Sequence, residues 1–149
     1  MMTTLRLCLM TVVAFAGSTF AQSQAPQSVA IESAIKSNEP AWELSAKEKQ
    51  PTSMIYRWKS GGEKVEAEVF VTASPKEAAD KLQEFIHHMP VPPKERLHGL
   101  GDEALLWQSP NTNGCMILFR RGNVFFHMDG SLVVHAKRFA KHLDDAVAN

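Results

Sequence analysis

The chain has 149 residues, 44% of them hydrophobic, with 16 Lys and Arg against 16 Asp and Glu and therefore no net charge when histidine is neutral. That length sets the expectation of one domain. A neutral chain has no strong field to draw in nucleic acid or an anionic membrane, which argues against both as partners.

The first residues read as an address rather than as structure. Arg6 precedes an apolar run over residues 7–16, and Thr19-Phe20-Ala21 fits a cleavage site, so residues 1–21 are expected to be a secretory signal peptide. The run is about half of the ~20 residues a spanning helix needs, so no membrane span is expected after cleavage. Losing residues 1–21 removes Arg6 and no acid, which leaves one net negative charge. It also removes Cys8, leaving Cys115 without a disulfide partner, and a lone thiol in an oxidising compartment is expected to be buried.

Residues 22–28 are polar and read as a flexible leader, and residues 29–149 as one domain. Val29, Ile31, Ala34 and Ile35 suggest a short helix that ends before Pro40. Trp42 and Leu44 alternate with polar neighbours, a hint of a strand. Met54, Tyr56 and Trp58, then Val65, Ala67, Val69 and Val71, alternate with period two around Gly61-Gly62, which predicts a hairpin. Ser74, Pro75 and Glu77 form a capping box ahead of a stripe of Ala78, Leu82, Phe85, Ile86 and Met89, the strongest helix signal in the chain. The prolines at 90, 92 and 93 end it. Three short strands are expected at residues 104–108, 115–120 and 124–128, the last two joined by a Gly122-Asn123 turn. Leu132, Ala136, Phe139, Leu143 and Val147 then give a second helical stripe, with Val133-Val134 open to either strand or helix. The expected architecture is α+β: a two-layer sandwich with an antiparallel sheet of about five strands and two helices on one face.

No residue set converges on chemistry. His87 and His88 are adjacent on a helix and diverge, His135 and His142 lie two turns apart, and His98 and His127 stand alone, so no metal site is expected. Cys115 lacks a basic cluster or helix N-terminus to activate it. The neighbouring acids Asp102-Glu103 point apart in a strand, and Asp144-Asp145 read as solvated. The stretch "HGLGDEALLW" is not a phosphate loop, because its glycines follow a proline-rich segment and open a strand. Gly99 and Gly101 instead read as turn residues, with Asp102 accepting hydrogen bonds from turn amides. A ligand face built from Arg57, Trp58, Trp107 and Arg120, with Lys59 and Arg121 nearby, is a further candidate, although Glu66 and Glu68 are ready cross-strand partners for its charges.

The strings "GLGDEALLW", "LFRRGNVFF" and "AKRFAKHL" together resemble exported bacterial domains of unknown function. Similar Gly-Leu-Gly-Asp-Glu-Ala and Arg-x-Gly-Asn strings occur in small lipoproteins and in extracellular sensor domains of bacterial Ser/Thr kinases. The resemblance covers roughly residues 54–147. It implies an α+β fold and an extracytoplasmic place, and it carries over no catalytic residue.

The reading that follows is a periplasmic or secreted, non-enzymatic binding or accessory domain without a cofactor, whose partner is a protein or small ligand of the cell envelope. Two alternatives stand beside it. One is a small periplasmic hydrolase with a site assembled from His98, Asp102 and His127. The other is an interaction module that exposes Trp58, Phe70, Trp107 and Phe125 on the sheet.

Overall fold

Alternation with period two builds the sheet, and the positions where alternation fails decide what covers it. The computed structural model describes residues 19–148. Of residues 1–21, expected to be a signal peptide, 1–18 lie outside the described residues. The described chain begins with α1 (Thr19–Asn38), which starts ahead of the expected helix and takes in residues 22–28. Among the described residues, no helix is long and apolar enough to cross a membrane.

Strands β1 (Glu43–Lys49), β2 (Met54–Ser60) and β3 (Glu63–Val71) follow as an antiparallel meander. Helix α2 (Pro75–His88) comes next, then β4 (Glu95–Arg96), β5 (Glu103–Gln108), β6 (Cys115–Arg121), β7 (Val124–Gly130) and α3 (Val133–Ala148). The strands form one sheet in the order β1-β2-β3-β7-β6-β5-β4, and every neighbouring pair is antiparallel. The α+β class and the antiparallel sheet agree with the sequence reading. The details differ: the described residues form seven strands and three helices. The two strands without a clear signal are the sheet edges. β4 has two residues, and β1 is mostly exposed, with Lys47, Glu48 and Lys49 at its end. Charged, short edges resist pairing with other chains and carry little apolar pattern to read.

The expected placement of both helices on one face is corrected by the structure. α1 and α3 pack on one face over Tyr56, Trp58, Ala67, Ile117, Phe119, Phe126 and Met128. α2 packs on the opposite face over Phe70, Leu105, Leu118 and Phe125. The cause is in the strands. β5, β6 and β7 hold unbroken apolar runs, Ala104 to Trp107, Cys115 to Phe119 and Val124 to Phe126, so both their faces need cover. β2 and β3 place Arg57, Lys59, Lys64, Glu66 and Glu68 on the α2 side, so that half of the face tolerates water.

α2 begins as its sequence requires. The Ser74 hydroxyl accepts from the Glu77 N–H at 3.2 Å, and the Glu77 carboxylate reaches back to the Ala73 N–H at 3.1 Å, one residue before the usual capping-box partner. In the last helix Val133 and Val134 are helical, and Phe139 and Leu143 are fully buried against the sheet.

Candidate ligand-binding cleft

Two of the strings that carry the resemblance, at Gly101-Asp102 and at Arg120 to Asn123, meet at one structural joint with Asp144, the residue that follows the third. Gly101 has φ 58°, and a Cβ built there would lie 2.3 Å from the Arg120 carbonyl oxygen, so only glycine fits. The Gly101 N–H donates to the Asp144 carboxylate at 3.0 Å, and the Asp102 N–H donates to the Arg120 carbonyl at 2.8 Å. The Asp102 carboxylate accepts from the Gly122 N–H at 2.8 Å and from Arg120 Nη1 at 3.2 Å. Arg121 donates twice to Asp144, each at 2.6 Å. Asn123 donates its side-chain amide to the Thr72 carbonyl at 2.8 Å and fastens the same hairpin to the segment before α2. Gly61, Gly99 and Gly122 also take positive φ, whereas Gly62 does not.

Asp144 is the correction here. The sequence reading left it solvated beside Asp145, yet it is fully buried. Burial works against its charged form, but the Arg121 hydrogen bonds, the Gly101 N–H and the nearby positive charges outweigh it, and its pKa lies below the usual carboxylate value.

The hydrolase candidates do not share contacts. Asp102 is held at this joint, His127 sits mid-strand between Glu68 (3.9 Å) and Asp129 (3.3 Å), and His98 is exposed with no hydrogen bond or ion pair among the described residues. The proposed ligand face is also divided. Trp58 lies on the α1–α3 side, whereas Arg57, Trp107 and Arg120 lie on the α2 side. Arg57 is ion-paired to Glu48 and, at 2.5 Å, to Glu66; Arg120 pairs with Asp102. The expected exposed aromatics are covered: Trp58, Phe70, Trp107 and Phe125 are all buried, because α2 closes one face and α1 with α3 the other. Cys115 is buried too, and burial pushes its thiol pKa up.

The concavity that remains lies where α2 ends. Residues 90–92 leave the helix and overhang the ends of β3, β5, β6 and β7, bordering an open cleft of about 540 Å³. The overhang is pinned to the floor by Trp107 Nε1, which donates to the Val91 carbonyl at 3.0 Å. The prolines that end the helix thus form a wall. Strand register lines up the floor: Glu66 faces Asp129, Asp129 faces Met116, and Met116 faces Trp107. Met89 and Pro90 close over this row. Its rims carry Lys64 on β3 and Lys94 beside β5, the latter donating to the Gln108 side chain. Desolvation raises the Asp129 pKa, and the Glu66 charge adds to the rise, while His127 opposes it.

Sequence reasoning missed Lys64, Asp129, Met116, Met89 and Lys94 as one set. The only local signal was the α2 apolar stripe running out at Met89 into prolines.

The fold is thus an antiparallel sheet flanked by helices on both faces, with a cleft at one end. In fold it is similar to a GTP binding regulator from Thermotoga maritima, at a TM-score of 0.54 and 16% sequence identity, over 81% of this chain and 89% of that one. No family model matches the sequence, and no curated protein matches it.

Proposed function

We propose that this chain is an exported, non-enzymatic binding domain whose ligand occupies the cleft beneath residues 90–92. The cleft itself carries the reading. Its volume of about 540 Å³ falls in the range of small-molecule sites. An apolar floor with a few polar groups at its margins is the composition such sites have. The address-like residues 1–21 support export, and the burial of Cys115 is compatible with an oxidising compartment. The Thermotoga maritima protein is described as a GTP binding regulator; the likeness is of fold alone, so neither its nucleotide nor its role is carried over. The hydrolase reading has less support, since His98, Asp102 and His127 spend their contacts on different partners.

The test is titration with an apolar fluorescent probe, anilinonaphthalene sulfonate, on the folded protein. One probe per chain is expected, with at least tenfold weaker binding to a Met116→Arg variant whose melting is unchanged. Equal binding to both proteins sinks the cleft as the site.

A further inference from the structure

Three charges around the cleft lack a full counter-charge. Lys64 has no hydrogen bond from its ammonium and no ion pair among the described residues. Among the described residues the Lys94 ammonium bonds only the neutral Gln108 amide. Among the described residues Asp129 has the His127 ring 3.3 Å away and no Lys or Arg partner. Glu66, by contrast, is neutralised by Arg57. Two of these groups, Asp129 and Lys94, stand at opposite ends of one apolar row. Asp129 faces Met116 across the β6–β7 ladder, and Met116 faces Trp107 across the β5–β6 ladder. Two strand spacings span about 9.5 Å. The Lys94 backbone N–H donates to the Leu106 carbonyl on the outer edge of β5, and its ammonium turns back to Gln108. Three extended residues span about 10 Å.

Building on the binding reading above, we infer that the cleft takes a short peptide with free ends, about three residues long and apolar in the middle. Its ammonium sits at Asp129, its central side chain lies over Met116 beneath Met89, and its carboxylate meets Lys94. The observation behind this is the match of charge and spacing: an anion, an apolar floor and a cation in that order along one row. A fatty acid would satisfy Lys94 and leave Asp129 facing an anion or an alkyl chain. An alkylamine would do the reverse. Asp129 and Lys94 are exposed in the free protein, and a ligand that covers either one without pairing it takes a charge out of water, which is costly.

The experiment displaces the bound fluorescent probe with the tripeptide Ala-Leu-Ala, its N-acetyl form and its C-terminal amide. The free tripeptide is expected to displace the probe, and each blocked form to need at least tenfold more. In Asp129→Asn the penalty for acetylation disappears and the penalty for amidation stays; in Lys94→Met the reverse holds. Lys64→Met is expected to leave both penalties. Equal displacement by free and blocked peptides overturns the inference, as does equal displacement by octylamine or octanoate. No displacement by any peptide, with the probe still bound and Met116→Arg still weakened, overturns the peptide while the cleft stands as a site. Failure of the probe to bind overturns both.

Discussion

Asp144, fully buried in the last turns of α3, grips the Arg121 guanidinium at the end of β6 through two hydrogen bonds of 2.6 Å. The paired geometry matches the planar fork of arginine, and the same carboxylate takes the Gly101 N–H. One side chain thus ties the C-terminal helix to the glycine loop and to the β6–β7 hairpin. Replacing it with alanine leaves Arg121 and the Gly101 N–H without their acceptor. Asp144→Ala is expected to cost about 3 kcal/mol in urea unfolding, in the range seen when one partner of a buried pair is removed. A double-mutant cycle with Arg121→Ala should return a coupling of about 1 kcal/mol or more. Additivity would show that the pair does not act as a unit.

The same pair sets a dependence on acid. The folded pKa of Asp144 lies below its ordinary value of 3.8, so its contribution to stability is present above that value. The contribution is lost as pH falls through the lowered folded value. Wild-type protein should therefore lose stability below about pH 4 more steeply than Asp144→Asn, which has no proton to take up there. Parallel stability curves for the two proteins in acid would contradict the placement of a charged Asp144 in the folded state.

Asp129 is expected to behave in the opposite sense. Desolvation and Glu66 raise its pKa from the ordinary 3.8, so the carboxyl takes up its proton more readily in the folded state than in the unfolded chain. Its stabilising contribution is present below the ordinary value and is lost as pH rises through the raised folded value. Carbon-13 NMR of the Asp129 carboxyl should give a midpoint above 3.8. Asp129→Asn should gain stability relative to wild type at neutral pH. A midpoint at or below the ordinary value would remove the premise.

Gly101 and Gly99 differ in a way that melting can read. Both have positive φ, 58° and 75°, but only at Gly101 would a Cβ strike backbone, 2.3 Å from the Arg120 oxygen. Gly99→Ala meets nothing within 4 Å and is expected to cost only the conformational strain, about 1–2 kcal/mol. Gly101→Ala adds a steric clash and should cost more, about 2–4 kcal/mol. Equal melting temperatures for the two variants would mean that the loop moves freely away from β6.

Cys115 offers a chemical check on packing. It is buried at the start of β6, and burial raises its thiol pKa, so little thiolate forms at neutral pH. Iodoacetamide should label it slowly in native protein and quickly in urea. Rapid native labelling would place it at an open surface.

The α2 boundary was legible because every signal for it is local. Ser74, Pro75 and Glu77 act within one turn, and the apolar stripe from Ala78 to Met89 needs no knowledge of its partner. The face that α2 covers was not legible. An apolar run such as residues 124–126 tells that both faces of β7 are buried, but not which helix lies on which side. Asp144 hid for a related reason. It reads as one of two adjacent acids, yet it falls four residues after Ala140 and eight after Ala136, on the buried stripe of α3. That spacing was the available signal. Beyond the α2 stripe running out at Met89 into prolines, the cleft had none, because Lys64, the 89–94 segment, Met116 and Asp129 are far apart in sequence and meet only in the tertiary fold.

By itself the sequence determined the α+β class, the β2–β3 hairpin, the cap of α2 and the turns at its glycines, all consequences of interactions within a few residues. Tertiary structure alone decided that helices cover both faces of the sheet. It also decided that the Gly-Leu-Gly-Asp loop is a joint closed by a buried aspartate. The row of Asp129, Met116 and Trp107 beneath the proline overhang came from the same source. The reason is physical. Period and capping are fixed along the chain, whereas the pairing of a buried charge and the shape of a cleft depend on which distant residues strand register brings face to face.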